Sequence, residues 1–527
     1  MKNRVLITDN VERSCADLLS AEGFAVDVKP PLKAPELKEI IGSYEVLIVR
    51  SSTKVTSEIL SSAGALKVIG RAGAGVDTID VGAATRQGVV VMNTPGGNTI
   101  STAEHTMSLL LSLVRNIPQA NASVLAGKWD RKTYIGTELQ GKTIGIIGLG
   151  KIGREVALRC QAFGMTAIGF DPLLGQDQAL RLGIEVVALD DVFARADFIT
   201  VHTPLNDETR SLIGERQLAK CKDGVRLINC ARGGIIDEHA LLKALESGKV
   251  AGAALDVFVQ EPPGDNALAR HPRVVATPHL GASTEEAQDK VARQIAVQVA
   301  DFLKGRGVAG AVNADVLSLS LRDEIKPFVI LAEKLGMLHG QLLGGPLETL
   351  SVTCGGALLS GAGELMTSGV LKGFLSQLVS EPVNLINAPV KARERGIAFG
   401  QKSVPEGGPY TNLLKVECSS GGSVRSVSGT VFGSDLLRIV QIDRYLLEII
   451  PQGHLVLYKN IDRPGMLASV GSLLASEGIN IAGLSLGRLG PGEVAMTAMN
   501  VDSPVQAPIL AQLRGIDGVT EVQAVRL

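Results

Sequence analysis

Residues 145–157 have the sequence GIIGLGKIGREVA, in which a short apolar run leads into three closely spaced glycines and then into a helical pattern. The spacing of Gly148, Gly150 and Gly153 matches the dinucleotide-binding fingerprint of a strand, turn and helix. The first glycine permits the tight turn, the second lets the backbone approach a pyrophosphate, and the third allows close packing of helix on strand. The segment therefore predicts a parallel α/β fold with a nucleotide at the helix N-terminus.

A carboxylate follows this loop at Asp171, directly after the strand-like run 166–169. An acid at this point accepts hydrogen bonds from the ribose hydroxyls and repels a 2′-phosphate. Residues 172–180 contain no Lys or Arg that could bind such a phosphate. The sequence therefore predicts NAD rather than NADP as the cofactor. The alternative is an ordinary tight turn in which Asp171 caps the end of a strand.

Short apolar runs alternate with helical patterns on both sides of the loop, which predicts parallel α/β sheets. We divide this part of the chain into two Rossmann-like or flavodoxin-like domains with a cleft between them. Residues 1–94 and 284–312 form the predicted substrate-binding domain. Residues 95–283 form the predicted NAD-binding domain.

Two sequences with capping-box spacing mark predicted helix starts in this region. Ser101 and Glu104 form the first, ahead of a long apolar run. The second opens the segment 283–303, which keeps helical apolar spacing. We expect this second helix to return the chain to the first domain.

The rest of the chain predicts two further domains. Gly/Ser-rich strands and turns without a nucleotide motif indicate an α+β intervening domain at 313–452. Residues 453–527 follow a βαββαβ order, which is typical of a ferredoxin-like unit. Such a unit can bind a small ligand.

Length and composition indicate a multidomain globular protein, since 527 residues exceed what one core usually organises and 45% of them are apolar. A formal charge of −2 gives no field that would attract nucleic acid or an anionic membrane, so we expect small-molecule partners. The six cysteines lack metal-ligand spacing, and we predict no metal site and reduced thiols. The N-terminus enters a strand-like run without a signal sequence, which predicts a cytoplasmic protein.

Three polar side chains follow predicted strands: Arg232, Glu261 and His279. Ligands of open α/β sheets lie beyond the carboxyl ends of the strands, so these residues are expected beside the nicotinamide. Hydride transfer at a hydroxyl carbon needs a proton acceptor, and histidine titrates near neutral pH. We assign that role to His279, with Glu261 orienting its ring and Arg232 binding the substrate carboxylate.

Each of the three residues also has a simpler interpretation when it is taken alone. Arg232 could form a surface ion pair, Glu261 could be a solvated loop acid before two prolines, and His279 could be a buried histidine with satisfied hydrogen bonds. The functional interpretation depends on the three occurring together.

The segments around them are ARGG at 231–234, EPP at 261–263 and PHLGAST at 278–284. Together they resemble the D-isomer-specific 2-hydroxyacid dehydrogenases, in which these motifs supply the catalytic arginine, glutamate and histidine. The resemblance extends over the full chain, and its length is similar to that of the long, regulated members with four domains. Further matching segments are GRAGAGVDTID at 70–80, NTPGGNTISTAEH at 93–105 and GKWDRK at 127–132.

The resemblance to those long members implies NAD-dependent oxidation of 3-phospho-D-glycerate to 3-phosphonooxypyruvate, the first step of L-serine biosynthesis. It also implies a homo-oligomer, either a dimer or a tetramer. The implied cofactor contacts beyond the glycines and Asp171 are Lys151, Ile152, Thr203, Cys230, Ala231, Arg232, Asp256, His279 and Gly281.

For the substrate, the resemblance implies that backbone N–H groups of Gly73, Ala74 and Gly75 receive the carboxylate. Further implied contacts to carboxylate or phosphate are Arg50, Asn98 and Arg131, with Arg131 coming from a neighbouring subunit. Each of these three residues could equally be an ordinary surface or structural group.

The end of the chain, with NIDRPG at 460–465 and GINI at 478–481, is similar to an ACT regulatory domain. This similarity implies that Asp462 and Asn480 hold L-serine as an effector. The alternative is a turn and a strand start, since Asp before Pro-Gly and Asn near Gly are common turn chemistry. A basic run at 391–395 lies in the intervening domain, where we expect a solvated face.

Two rival functions stay open on the sequence. One is a dehydrogenase for another 2-hydroxyacid, such as lactate or glyoxylate. The other is a non-catalytic NAD-sensing protein on the same scaffold, because fold alone does not establish activity. The intact set of Arg232, Glu261 and His279 argues against the second.

Overall fold

Four β-sheets organise the chain in a computed structural model that describes residues 3–175, 179, 181–314 and 317–527. Two sheets are parallel, one is mixed and one is antiparallel. The predicted fold class is confirmed: two parallel α/β units are followed by an α+β unit and a βαββαβ unit. The exact domain limits drawn from the sequence stay a prediction. None of the described helices is long and apolar enough to cross a membrane.

The first sheet has five parallel strands in the order β2-β1-β3-β4-β5. All four residues of Val46–Val49 are buried, because helices cover both faces of the sheet and leave no solvated side. Its strands are β1 (Arg4–Ile7), β2 (Ala25–Val28), β3 (Val46–Val49), β4 (Val68–Arg71) and β5 (Val90–Met92). Its helices are α1 (Arg13–Ala21), α2 (Ala34–Ile40), α3 (Ser57–Ser61) and α4 (Val81–Gln87), with a 3-10 helix at Ile41–Ser43.

Two helices, α5 (Thr99–Arg115) and α6 (Ile117–Leu125), connect the first two sheets. Helix α5 begins at Thr99, and Asn98 precedes it without a side-chain cap. The predicted capping box of Ser101 and Glu104 is therefore wrong. Ser101 is buried inside the first turn, where its hydroxyl binds a distant loop instead of the helix terminus.

The second sheet has seven parallel strands in the order β12-β11-β10-β9-β6-β7-β8. The glycine loop joins the interior strand β6 (Thr143–Ile147) to α7 (Lys151–Ala162), at the point where the strand order reverses. Open sheets bind ligands in such a crevice. The strands are β6 (Thr143–Ile147), β7 (Thr166–Phe170), β8 (Glu185–Val186), β9 (Phe198–Val201), β10 (Val225–Asn229), β11 (Val250–Leu255) and β12 (Val274–Ala276). The helices are α7 (Lys151–Ala162), α8 (Leu189–Arg195), α9 (Glu215–Lys220) and α10 (Glu238–Glu246).

Helix α11 (Glu285–Leu303) returns the chain to the first sheet. Its buried residues Val291, Ile295 and Val299 share a core with strands β1, β3 and β4. The helix is capped by Thr284, whose hydroxyl accepts the N–H of Ala287 at 3.2 Å. The cap therefore lies one residue beyond the predicted one.

The third sheet is mixed, with the order β14-β13-β15-β16-β17-β18. Helices α13 (Lys326–Leu342) and α14 (Gly363–Leu375) pack on this sheet. Their residues Leu331, Leu335 and Leu371 are fully buried in the core that the helices share with the sheet. The strands are β13 (Thr349–Gly355), β14 (Ala398–Val404), β15 (Leu413–Ser420), β16 (Ser423–Phe432), β17 (Leu436–Ile442) and β18 (Tyr445–Ile449). The helices are α12 (Leu317–Ser320), α13 (Lys326–Leu342), α14 (Gly363–Leu375) and α15 (Ala388–Glu394), with a 3-10 helix at Ala357–Leu359.

The fourth sheet is antiparallel in the order β20-β21-β19-β22. One face, including Leu457, Met496 and Val525, belongs to the same core as the third sheet, so these two units are packed together. The strands are β19 (His454–Ile461), β20 (Ile481–Gly487), β21 (Val494–Val501) and β22 (Val519–Arg526), and the helices are α16 (Met466–Ser476) and α17 (Ala507–Arg514).

Candidate active site

His279 and Glu261 form the centre of the site, in the loops that follow β12 and β11. Nδ1 of His279 lies 2.8 Å from Oε2 of Glu261, and Oε1 of Glu261 accepts the N–H of Phe258 at 3.1 Å. Because Nδ1 is engaged, Nε2 is the ring nitrogen left for a ligand. The side chains of His279 and Glu261 are 46% and 39% exposed, so a small molecule can reach them.

The backbone of His279 adopts φ of 56°, a left-handed conformation that is uncommon outside glycine. Buried Asp256 holds this loop in place. Its Oδ1 accepts the N–H of Leu280 at 2.7 Å, and its Oδ2 accepts the N–H of Gly281 at 2.9 Å. Thr277 also donates to Oδ1, at 2.6 Å. The loop that carries the histidine is thus tied to one carboxylate at three points.

His105 of α5 is the fourth partner of Asp256, with Nε2 3.0 Å from Oδ1. Burial raises the pKa of Asp256, but hydrogen bonds from His105, Thr277 and Leu280 outweigh it and hold the pKa below its ordinary value. Asp256 is therefore ionised near neutral pH, and its carboxylate binds the loop that carries His279. The cofactor contact that the resemblance implies for Asp256 stays a prediction.

The first turn of α5 binds the same loop from its other side. Ser101 and Thr102 donate to the carbonyl of Gly281 at 2.8 and 3.0 Å. Asn98 donates to the hydroxyl of Thr102 at 3.1 Å, so it belongs to this network. Asn98, predicted to contact substrate, is half-buried here and supports the loop that carries His279.

Arg232 follows β10 and reaches across to the first sheet. Its Nε donates to Oδ2 of Asp77 at 3.0 Å, and its Nη1 donates to the carbonyl of Ala231 at 2.7 Å. The adjacent Gly233 packs so closely on Phe258 that a Cβ there would collide with the Phe258 carbonyl. The N–H of Phe258 binds Glu261. The contact of Gly233 with Phe258 therefore joins the loop that carries Arg232 to the loop that carries Glu261.

The glycine-rich loop after β4 faces Arg232. The N–H of Gly73 donates to the carbonyl of Arg71 at 2.8 Å, which occupies one of the three predicted anion donors. Ala74 and Gly75 are half-buried, and within the described residues no protein acceptor binds their N–H groups. Side chains of Arg71 and Arg232 pack directly against Gly73 and Gly75.

Two further arginines lie at this loop. Arg50, after β3, donates through Nη1 to Gln288 at 3.2 Å, and its backbone N–H donates to Asp9 at 3.0 Å. Burial, and then the charge of Arg232, lower the pKa of Arg71 to about 10, and its buried Nε has no hydrogen-bond partner in the described structure. The loop is thus surrounded by cationic groups with spare donors, which suits an anionic ligand.

The cofactor loop has the backbone that the sequence predicts. Gly148 has φ of 95°, and a Cβ there would lie 2.6 Å from the carbonyl oxygen of His202. A Cβ on Gly153 would collide with the carbonyl of Gly148, whereas a Cβ on Gly150 would meet no atom within 4 Å. Gly150 therefore borders open space at the N-terminus of α7, which fits a pyrophosphate.

Asp171 and Thr203 border the same space. Asp171 accepts the N–H groups of Leu149 and Leu173 at 2.7 and 2.8 Å, and each carboxylate oxygen keeps a lone pair for a ribose hydroxyl. The hydroxyl of Thr203 is buried without a partner in the described structure. An orphaned polar atom and an open cradle at the helix N-terminus both fit a dinucleotide.

The remaining predicted cofactor residues lie around this loop with different exposures. Lys151 is exposed, and its Nζ donates to the carbonyl of Pro95 at 3.4 Å; Ile152 is half-buried. Cys230 is buried, which raises the pKa of its thiol to about 12, and Ala231 is half-buried beside Arg232. The raised pKa makes the Cys230 thiol a poor nucleophile, and the implied contact of Cys230 with the cofactor stays a prediction.

Three predicted site residues lie elsewhere. Arg131 is on the exposed segment that follows α6, and among the described contacts none joins it to His279. In the fourth unit, Asp462 accepts Nε of Arg488 at 2.7 Å, and Asn480 donates to Asp502 at 2.7 Å. Both predicted effector residues have polar partners within the chain, and no described contact joins them to each other.

Sequence reasoning missed three residues of the site: Arg71, Asp77 and His105. Arg71 and Asp77 are both in the segment GRAGAGVD, whose glycines predict a site made of backbone N–H groups and do not indicate these two side chains. His105 is in the segment STAEH, between Glu104 and Thr106, and no motif in this stretch marks it as a site residue. Their partners Arg232 and Asp256 are more than 150 positions away, so no local spacing indicates the pairs.

Comparison with known proteins decides the family. The chain is 43% identical over 527 residues to D-3-phosphoglycerate dehydrogenase of Archaeoglobus fulgidus, which covers 99% of this chain and all of that protein. It is 42% identical over 524 residues to the Bacillus subtilis enzyme of the same name, with 99% of each chain covered. The chain belongs to the D-3-phosphoglycerate dehydrogenase family.

Three family models match this D-3-phosphoglycerate dehydrogenase family member, and each lies mainly on one of its last three sheets. Residues 107–281 match the NAD binding domain of the D-isomer specific 2-hydroxyacid dehydrogenases. Residues 324–443 match the D-3-phosphoglycerate dehydrogenase intervening domain, and residues 454–518 match an ACT domain. The second sheet is thus the NAD-binding domain of a dehydrogenase.

A solved structure of D-lactate dehydrogenase from Aquifex aeolicus, complexed with NAD and lactic acid, is similar to the first part of the chain. It is 30% identical, with a TM-score of 0.51, and covers 57% of this chain and 96% of that protein. Within the described residues, no group of three His, Cys, Asp or Glu side chains lies close enough to hold a metal ion.

Proposed function

We propose that this protein oxidises 3-phospho-D-glycerate to 3-phosphonooxypyruvate with NAD, as the first step of L-serine biosynthesis. The observation that carries the proposal is the His279–Glu261 pair beside Arg232, in a chain similar over its full length to D-3-phosphoglycerate dehydrogenases. Bound NAD supplies a hydride acceptor at its nicotinamide ring. The remaining chemistry falls to the protein side chains.

His279 is the acid–base residue in this proposal. Its Nε2 takes the proton of the substrate hydroxyl as the C2 hydride leaves, and it returns that proton in the reverse reaction. Glu261, 2.8 Å from Nδ1, holds the ring in orientation and stabilises the imidazolium that forms. The two groups act as one unit, because Glu261 binds Nδ1 and leaves Nε2 for the substrate.

Arg232 receives the substrate carboxylate with the N–H groups of Ala74 and Gly75. Arg50 and Arg71 then supply cationic groups for a second anion on the substrate. Burial leaves Nε of Arg71 without a partner in the described structure, so this arginine has a donor for an anion beyond the carboxylate site. A phosphorylated hydroxyacid supplies a second anionic group there, whereas lactate has only its carboxylate.

The test is to incubate the purified protein with NAD and, in separate reactions, 3-phosphoglycerate, D-glycerate, D-lactate and glycolate. We expect NADH formation with 3-phosphoglycerate when phosphonooxypyruvate is removed by a coupling transaminase. Faster turnover of lactate or glycolate would favour the rival hydroxyacid dehydrogenase. Tight NADH binding without turnover of any acid would favour the NAD-sensing protein.

L-Serine is the proposed effector, bound by Asp462 and Asn480 of the ACT domain. The proposal predicts that serine lowers activity and that Asp462→Ala abolishes this response. Asp517→Ala is the matched control, because Asp517 is an exposed acid of the same domain that pairs with Arg463. Insensitivity of the unmodified protein at millimolar serine would refute the effector assignment.

A homo-oligomer, dimer or tetramer, is also part of the proposal, with Arg131 reaching a neighbouring active site. Its support is an exposed apolar surface around α6 and the following segment, where Leu125, Trp129 and Ile135 are about four-fifths exposed. We place the protein in the cytoplasm, because its six cysteines are free thiols and suit a reducing compartment.

A further inference from the structure

We propose that Asp77 is a positioning residue that orients Arg232 for the substrate carboxylate from the opposite side of the cleft. Asp77 belongs to the loop after β4 in the first sheet, and Arg232 follows β10 in the second. Their ion pair joins Oδ2 to Nε at 3.0 Å. The inference rests on the proposed function at one point, which is that the ligand of Arg232 is the substrate carboxylate.

The donors of Arg232 are arranged so that Asp77 orients the group without blocking it. A guanidinium has five N–H donors. Asp77 binds the one on Nε, and the carbonyl of Ala231 binds one on Nη1. The other Nη1 donor and both Nη2 donors stay outside these two bonds. Neither bond uses Nη2, so both of its donors are available for a carboxylate.

Gly75 is the second observation that supports the pairing. A Cβ at this position would lie 2.7 Å from Oδ2 of Asp77 and would collide with Nη2 of Arg232. The ion pair thus fits across the cleft because residue 75 has no side chain. The same contact brings Nη2 beside the backbone of the loop whose N–H groups complete the proposed carboxylate site.

Repulsion between arginines explains why Arg232 needs a counter-charge. Arg71 packs against the same loop, and the charge of Arg232 contributes to the lowered pKa of Arg71, whereas Asp77 acts in the opposite direction. Without Asp77, two guanidinium groups would face each other before a substrate arrives. Arg232 would then move toward solvent, since its side chain is already 31% exposed.

A competing role for Asp77 makes the opposite prediction. If Asp77 occupied the donors that the substrate needs, its removal would strengthen carboxylate binding. If it orients Arg232, its removal weakens binding of any carboxylate at this site. The two roles therefore differ in the sign of one measured change.

The experiment compares Asp77→Ala and Asp77→Asn with the unmodified protein. Oxalate serves as a non-reacting carboxylate, and its dissociation constant from the protein–NADH complex is measured by NADH fluorescence. Asp77→Ala is expected to raise this constant, and the KM for 3-phosphoglycerate, by about tenfold, the usual effect of losing a hydrogen bond between charged groups. The dissociation constant of NADH and kcat should change by less than about threefold, because the proton-transfer pair is untouched.

Asp77→Asn keeps an acceptor for Nε without the charge, and we expect an intermediate loss. Asp190→Asn is the matched control, since Asp190 forms an exposed ion pair with Lys220 at 2.7 Å and should leave all constants unchanged. Asp77 itself is 65% exposed, so the variants should fold, and unchanged thermal midpoints would verify this.

An unchanged or lower oxalate dissociation constant in Asp77→Ala would overturn the positioning role. Loss of kcat without a change in KM or oxalate binding would also overturn it. If the unmodified protein does not oxidise 3-phosphoglycerate but Asp77→Ala still weakens oxalate binding, the positioning role stands and the proposed substrate fails.

Discussion

Nδ1 of His279 lies 2.8 Å from Oε2 of Glu261, and the other oxygen of Glu261 is fixed by the N–H of Phe258. The imidazole therefore has one orientation set by the protein, with Nε2 free on the ligand side. The backbone beneath it is equally constrained, because Asp256 binds the N–H groups of the next two residues. These contacts hold Nε2 of His279, the proposed proton acceptor, at a defined position.

His279→Ala removes the proposed proton acceptor and should lower kcat by about 10²–10⁴-fold, the usual contribution of general acid–base catalysis. NADH binding, measured by fluorescence, should be retained because the glycine loop is unchanged. His239→Ala, at an exposed position on α10, is the control and should turn over normally. Normal turnover of His279→Ala would refute the assignment.

Glu261→Gln keeps the shape of the side chain but removes the charge that stabilises the imidazolium. The imidazolium that forms when His279 takes the hydroxyl proton then has no carboxylate beside it, so kcat for the oxidation of 3-phosphoglycerate should fall by about tenfold. Steady-state kinetics measure the change. A kcat equal to that of the unmodified protein would remove Glu261 from this role.

Asp256→Asn should lower both activity and stability, because one neutral amide cannot replace two charged acceptor oxygens. The expected loss of stability is about 1.5–3 kcal/mol, the range for hydrogen bonds to a charged group. The pKa of Asp256 is lower in the folded protein than in the unfolded chain. The Asp256 carboxylate therefore stabilises the folded protein fully above about pH 4, the pKa of an aspartate in an unfolded chain. This stabilisation is lost as the pH falls through the pKa that Asp256 has in the folded protein. The measurement is the difference in thermal midpoint between unmodified protein and variant.

The difference in thermal midpoint between the unmodified protein and Asp256→Asn should be largest near pH 7 and should become smaller below about pH 4. A constant difference down to pH 3 would show that the charge of Asp256 contributes nothing to stability.

Two alanine substitutions in the cofactor loop should separate folding from binding. Gly153→Ala forces a Cβ into the carbonyl of Gly148 and should lower the thermal midpoint of the protein. Gly150→Ala meets no protein atom within 4 Å, so the fold should be unaffected while NADH binds more weakly, by about tenfold or more. Equal NADH affinity of Gly150→Ala and the unmodified protein would exclude a pyrophosphate from this space.

Arg71→Gln should distinguish substrates by their charge. Arg71 has a buried Nε without a partner in the described structure, and an anion would satisfy it. We expect the KM for 3-phosphoglycerate to rise by about tenfold, while kcat/KM for D-glycerate changes much less. Equal losses for both substrates would indicate that Arg71 supports the loop instead of the phosphate.

Much of this arrangement could be predicted from local sequence. Gly148, Gly150 and Gly153 have fixed roles in a dinucleotide-binding turn, so their spacing predicts the loop. Glu261 and His279 follow buried strands, which places them at the same edge of a parallel sheet. The start of α5 was mispredicted because the hydroxyl of Ser101 binds the carbonyl of Gly281, a contact that helix-capping rules do not consider.

The sequence by itself determined the cofactor loop, because it depends on the spacing of a few residues, and the fold class, because it depends on the alternation of apolar runs and helical patterns. It also predicted the three proposed catalytic positions, because each belongs to a short motif that follows a strand. Only the tertiary structure decided which groups support them. Asp77 reaches Arg232 across 155 positions, and His105 reaches Asp256 across 151. Such pairs depend on how the first two sheets and α5 face one another. Local periodicity does not encode that orientation, which is set by packing of the buried faces.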